Sequence, residues 1–213
     1  MKMANYKNLF FVTYCMKLLC FADVHADPAS LTTLVRKARR ADVLVCAGDL
    51  SLFGRSLQRS AQVLLRAGKP LLIVPGNHEG EEEVITLAKR YKHIIPLHRR
   101  VHKINDCAFF GFGGGGFSFR EPEMETFARA LKKSLPDARK KIFVTHAPPY
   151  HTVLDFLPWL QEHRGCKSTV RAIALLKPDL VLCGHFHETA GMSYTTGKTY
   201  VINPGRLGRI IEV

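Results

Sequence analysis

The chain has 213 residues and a mass of 23.9 kDa, room for one compact domain and little for a second. Hydrophobic residues make up 46% and charged residues 23%, which excludes intrinsic disorder, a collagen-like repeat and a disulfide scaffold. Against 18 Asp+Glu stand 31 Lys+Arg, a net charge of +13 that favours anionic partners; because the basic residues are dispersed and form no stripe, a polynucleotide is allowed but not indicated.

The first apolar stretch, Leu9 to Ala22, is shorter than a membrane-spanning helix and is interrupted by Lys17. A leader cleavage near Ala22 to Ala26 would cut into Asp23 and His25, so neither an anchor nor a leader is expected. The domain is expected to run from Met16 to Val213, with residues 1–15 as an extension of unclear origin. Cysteines at 15, 20, 46, 107, 166 and 183 show no paired spacing, which points to a reducing, cytoplasmic setting.

Short runs rich in Leu, Val and Ile then recur at Leu18 to Ala22, Val43 to Ala47, Leu71 to Pro75, Ile142 to Thr145 and Leu180 to Cys183. Each is too short for a helix and reads as a buried strand. Between them the pattern predicts helices over 28–40, 55–67, 80–91, 122–133 and 168–177, the first opened by Asp27 as N-cap and Pro28 at the first helical position. Alternation of this kind implies an α/β fold. Val101 to Ile104, Ala108 to Phe112, Lys198 to Ile202 and Gly208 to Val213 have hairpin-like spacing, with Asn105-Asp106 and Thr196-Gly197 as turns, and predict a second sheet with antiparallel pairing.

Every buried run is followed at once by a ligand-type residue: Asp23-x-His25, Gly48-Asp49, Gly76-Asn77-His78-Glu79, His146, and Gly184-His185-x-His187. In an α/β fold the carboxyl ends of strands converge, so residues far apart in sequence meet there. The residue types fit a two-metal centre. Positions i and i+2 of an extended chain share a side, so Asp23 with His25 and His185 with His187 reach into one site. Asp49 can bridge two cations through its two oxygens. With Asn77 and His146 the set is a mixed N/O shell suited to Mn foremost, or Fe, Zn, Ni or Co, and less to Ca or Mg. Glycines 48, 76 and 184 allow sharp exits that aim the next side chain inward.

These motifs resemble the calcineurin-like metallophosphoesterase superfamily, over roughly residues 16 to 213. The resemblance implies a four-layer α/β/β/α sandwich and a binuclear metal-dependent phosphoesterase that attacks phosphorus with a metal-activated hydroxide. It implies one metal on Asp23, His25, Asp49 and His187, a second on Asp49, Asn77, His146 and His185, and a free catalytic His78. His78 would either protonate the leaving oxygen or steady charge on the phosphoryl group. In protein-phosphatase members a second Asp, three residues after the Gly-Asp pair, supports that histidine; here the position is Leu52. The run from Thr145 to Tyr150, with Asp155 and Asn203-Pro204-Gly205, is similar instead to small single-domain phosphodiesterases. Phosphomonoesterase, nuclease and a non-catalytic protein-binding scaffold are the alternatives.

The expected substrate is a small anionic phosphoester, with no membrane partner and no expectation for oligomeric state. His151 and Asp155, just beyond His146, are candidate substrate-side residues. Trp159 is expected to anchor its loop by packing, with stacking on a base as the alternative. Gly113 to Gly116 has the glycine content to wrap a phosphate, but it follows a strand in isolation and lacks the Lys-Ser/Thr ending of a P-loop, so it reads as a turn.

Overall fold

The computed structural model describes residues 15–213. Strand β1 (Lys17–Phe21) leads through α1 (Pro28–Ala38) to β2 (Val43–Cys46), through α2 (Leu57–Leu65) to β3 (Leu71–Ile73), and through α3 (Glu81–Arg90) to β4 (Ile94–Pro96). Then follow β5 (Arg100–Ile104), β6 (Cys107–Phe112), α4 (Pro122–Ser134), β7 (Lys140–Thr145), β8 (Phe156–Leu157) and β9 (Glu162–His163). The chain closes with α5 (Lys167–Leu176), β10 (Leu180–Leu182), a 3₁₀ turn (His187–Thr189), β11 (Ser193–Thr196), β12 (Thr199–Ile202) and β13 (Arg209–Glu212). The five helices lie within two residues of the spans read from periodicity, and Asp27 caps α1 by accepting the Ser30 N–H at 2.8 Å.

Two sheets face each other, ordered β13-β1-β2-β3-β4 and β11-β12-β10-β7-β6-β5. Alternate residues of the buried strands serve different cores. Leu18, Cys20, Val45 and Leu72 pack between the sheets against Phe109, Ile142, Val144 and Leu182. Leu19, Phe21, Leu44 and Ile73 face α1, α2 and α3 through Leu34, Leu64 and Leu87. Phe110, Phe143 and Val181 face α4 and α5 through Ala128, Leu131 and Ile173. Three cores separate four layers, α/β/β/α. Burial on both faces is why these strands read as unbroken apolar runs.

The expectation of an antiparallel second sheet needs correction. Strands β6, β7, β10 and β12 pair in parallel, and antiparallel pairing is confined to the two hairpins, β5–β6 and β11–β12. The cause is the crossovers: α4 and α5 each return the chain to the same end of the sheet, which enforces parallel pairing. The segment read as Gly208 to Val213 lies in the first sheet, where β13 runs antiparallel to β1 with Lys17 opposite Glu212 and Leu19 opposite Ile210. The ligand-bearing strand ends therefore come from both sheets, three from the first and two from the second.

Candidate metal centre and its cleft

The turns after β1 and β2 are laced together. The N–H of Asp23 donates to the Gly48 carbonyl at 3.1 Å, and that of His25 to the Asp49 carbonyl at 3.0 Å. Asp23, His25, Asp49 and His185 all have left-handed backbone, with φ of 57°, 47°, 53° and 74°. The i, i+2 geometry expected of an extended chain is thus replaced by tight turns, and His187 opens a 3₁₀ turn. Non-glycine residues with this backbone are uncommon and are found where surrounding structure over-determines them. Two of the flanking glycines act by close approach rather than by a sharp exit: a Cβ on Gly76 would collide with the Asp49 carboxylate, and one on Gly184 would lie 2.8 Å from Asp23 Oδ2.

Asp49 is at the centre. Its Oδ1 accepts the His78 main-chain N–H at 2.9 Å. Its Oδ2 lies 3.4 Å from His146 Nε2, 3.8 Å from His25 Nε2 and 4.0 Å from His78 Nε2. His146 is fully buried, and its Nδ1–H donates to the Ala47 carbonyl at 2.9 Å, so Nε2 is the atom left for the site. Asn77 Oδ1 lies 2.9 Å from that Nε2 and 3.0 Å from His185 Nδ1. On the other side His25 Nε2 and His187 Nε2 are 3.1 Å apart, with Asp23 Oδ1 4.0 Å from the latter. The Asp23 carboxylate also accepts the His185 N–H at 3.0 and 3.1 Å.

The electrostatics favour positive charge at this point. Burial opposes charging of His146, but the hydrogen bond and charge of Asp49, with Asp23 behind, outweigh it and push His146 up to about 9. Burial and the neighbouring His146 drive His185 down to about 4. Burial would raise Asp49, yet His146 and His78 hold it below the usual carboxylate range. Oxygen and nitrogen lone pairs thus converge with few hydrogens to separate them. Asp23, His25 and His187 form one group, and Asp23, Asp49 and His146 another, whose donor atoms lie within 4.8 Å of each other. Imidazole nitrogens mixed with carboxylate and amide oxygens suit divalent transition metals, and the set fits such ions.

Supports lie beneath the donors. Glu79 is buried, accepts the N–H groups of Leu50 at 2.8 Å and Ser51 at 3.2 Å, and so braces the turn that carries Asp49; burial and the Asp49 charge push it up to about 8. Asn203 donates to the Phe186 carbonyl and to Thr189 Oγ1, both at 3.0 Å, pinning the turn that presents His187. Where the sequence left Leu52 in place of a supporting acid, the Phe53 N–H donates to His78 Nδ1 at 3.3 Å.

All eight motif residues meet here, but the two substrate-side candidates do not. Asp155 is fully buried and accepts from the N–H groups of His151, Thr152 and Gly165 and from His163 Nδ1, at 2.7 to 2.9 Å. It is a loop staple with no oxygen left for a ligand, and His151 lines other depressions. Trp159, expected to pack, is 68% exposed. It lines the cleft of about 480 Å³ that opens on His25, Asp49, Asn77, His78, His185 and His187, together with Phe117, Phe119, Leu160, Arg164 and Glu188. Of these wall residues the sequence points only to Trp159, through the stacking alternative to packing; the four-glycine run before Phe117 reads there as a turn.

The sequence pattern of calcineurin-like phosphoesterases matches residues 16–189. The protein MJ1162 of Methanocaldococcus jannaschii is 32% identical over 198 residues, covering 89% of this chain and 88% of its own. A UPF0046 protein of Caenorhabditis elegans is 24% identical, covering 91% of this chain and 71% of its own. The crystal structure of TT1561 from Thermus thermophilus superposes with a TM-score of 0.72 at 20% identity, over 91% of both chains, and shares the fold. Among the described residues no helix is long and apolar enough to cross a membrane. With the match running from Met16 at the edge of β1 through the turn that presents His187, the chain belongs to the calcineurin-like phosphoesterase family.

Proposed function

We propose that this protein hydrolyses phosphodiesters with two divalent transition-metal ions, manganese foremost. The observation that carries the reading is the convergence of seven ligand-type side chains in one linked cluster, with Asp49 between His25 and His146. Asp23, His25, Asp49 and His187 would hold one ion, and Asp49, Asn77, His146 and His185 the other. Such ions, when bound, supply Lewis-acid polarisation of a phosphoryl oxygen and activation of water. A complete donor set counts against a scaffold without catalysis.

The rest follows from the chain's own groups. Because His78 Nδ1 accepts the Phe53 N–H, the hydrogen of the neutral ring sits on Nε2, the atom on the Asp49 side. A ring so oriented is placed to donate that hydrogen to a phosphoryl oxygen. Of the two roles open to it, His78 is therefore assigned the steadying of charge on the phosphoryl group.

Two features support a diester over a monoester. The His25–His187 pair borders both the cleft and a second depression, lined also by Asp23 and Arg206, so there is open space on two sides of the pair for the two arms of a diester. The cleft's lining also includes only one Lys or Arg, Arg164, which is already paired with Glu162 at 2.6 Å. A singly charged diester needs less cationic compensation than a doubly charged monoester. Six free thiols, five of them buried, support a reducing cytoplasmic setting.

The test is hydrolysis of bis-p-nitrophenyl phosphate against p-nitrophenyl phosphate by protein stripped with a chelator and reloaded with Mn. Faster diester turnover that returns only with metal is expected. Preference for the monoester would overturn the diester assignment, and full activity after stripping would overturn the two-metal reading.

A further inference from the structure

The cleft wall beside the donor cluster is aromatic and open to solvent. Phe117 is 80% exposed, Trp159 68% and Phe119 42%. Large apolar side chains gathered at one exposed place mark a binding surface more often than a packing fault.

The wall and the donors are physically one site. A Cβ on Gly116 would lie 2.6 Å from the His185 ring, so only glycine lets this loop lie against that ligand-type histidine. The next residue, Phe117, meets the same ring edge to face, with centroids 4.8 Å apart. The glycine run thus serves to seat an aromatic ring beside His185. Across the lining, Trp159 Nε1–H donates to Glu188 Oε1 at 3.2 Å, which restrains an otherwise exposed indole. The Arg164 guanidinium stands 5.8 Å from the Phe119 ring centre.

We propose that this wall selects phosphoesters whose organic arm is a flat aromatic ring, stacked on the wall while the phosphoryl group occupies the donor cluster. The inference rests on the hydrolytic reading of that cluster. An acyl chain fits the wall less well, because Arg164 and Glu188 also line the cleft and would be desolvated against it without recompense. A stacked ring leaves its edge free to meet those polar groups. The restraint on Trp159 lowers the ordering cost of stacking. At about 480 Å³ the cleft is large enough for a ring system of one or two rings.

Phosphonates, whose P–C bond resists hydrolysis, test this on the Mn-loaded protein. Methylphosphonate reports the phosphoryl site alone, and phenylphosphonate against cyclohexylphosphonate isolates ring flatness at nearly equal size. Competition with bis-p-nitrophenyl phosphate hydrolysis is one readout. Fluorescence of Trp159, the chain's only tryptophan, is the other. Phenylphosphonate should bind about tenfold tighter than its cyclohexyl counterpart and quench Trp159. That ratio should fall toward one in Phe117→Leu and in Trp159→Leu, which keep apolar area and lose a ring.

Equal binding of the two phosphonates would overturn the proposal, as would a preference that survives both substitutions. If methylphosphonate binds and metal-dependent turnover is present, such a result leaves the hydrolytic site standing. If no phosphonate binds and no ester is turned over with any metal, the hydrolytic reading falls as well.

Discussion

The main-chain N–H of His78 donates to Asp49 Oδ1 at 2.9 Å, so of the two carboxylate oxygens Oδ2 alone faces both His25 and His146. Were two cations bound, Oδ2 would be the oxygen placed to serve both. Asp49→Asn keeps an oxygen for the His78 amide but weakens the bridge to both ions. Metal content by elemental analysis should fall, and kcat should drop by more than about 100-fold, the upper range seen even for partners that only orient a ligand. Retention of both metals would contradict the bridge.

His78→Gln should keep both ions. If His78 steadies charge on the phosphoryl group, the variant loses about 10²-fold to 10³-fold in kcat alike for p-nitrophenyl and alkyl leaving groups. A much larger loss on the alkyl ester would restore the proton-donor role.

Asp155→Ala should act on stability. Four donors lose a buried carboxylate acceptor at once, and about 3 kcal/mol of unfolding free energy should be lost in urea denaturation. Metal content should stay near two ions per chain, since the residue touches none of the donors. Because the loop it pins carries Trp159 and Arg164, KM should rise more than kcat falls.

Much of the donor cluster was legible because the donors follow buried apolar runs within a few residues, and strand ends converge whichever sheet they belong to. Sheet membership was not legible: Ile142 to Thr145 and Leu180 to Cys183 look like Val43 to Ala47 in composition, and only the crossovers through α4 and α5 separate them. The cleft wall was hidden for a different reason. Phe117, Trp159 and Arg164 lie in segments without periodicity, so no local pattern distinguishes a ring aimed at ligand from one aimed at the core. Asp155 misled because a carboxylate near His146 suggests chemistry, while its hydrogen bonds to His151, Thr152 and Gly165 depend on a loop closing back on itself.

Acid should reach a second cluster. Hydrogen bonds from Arg120, Ser168 and Arg171 hold Glu125 at about 2, below its ordinary 4.5. A carboxyl lowered on folding stabilises the native state above its unfolded pKa, and that contribution drains away as pH falls from about 4.5 through about 2. Glu125→Gln should therefore melt below the parent at pH 7, with the gap in Tm closing over that window. A gap independent of pH would point to packing instead of charge.

A chain beginning at Met16 should fold with an unchanged Tm, because Met16 exchanges hydrogen bonds with Val213 at 3.2 and 3.0 Å and completes the β1–β13 ladder itself. A large fall in Tm would show that residues 1–15 pack on the domain.

The same ladder joins β1 to β13, strands far apart in sequence. During synthesis β1 lacks one hydrogen-bonding neighbour until β13 has left the ribosome, and the turn that presents His187 lacks its brace until Asn203 has emerged. Contacts so distant in sequence form late and slowly. The donors Asp23, His25, Asp49 and Asn77 thus wait, without their partners, until His146, His185 and His187 have been made. A chain made only as far as β10 lacks His185 and His187, so the full donor set would be open to a cation only once strands of both sheets are in place.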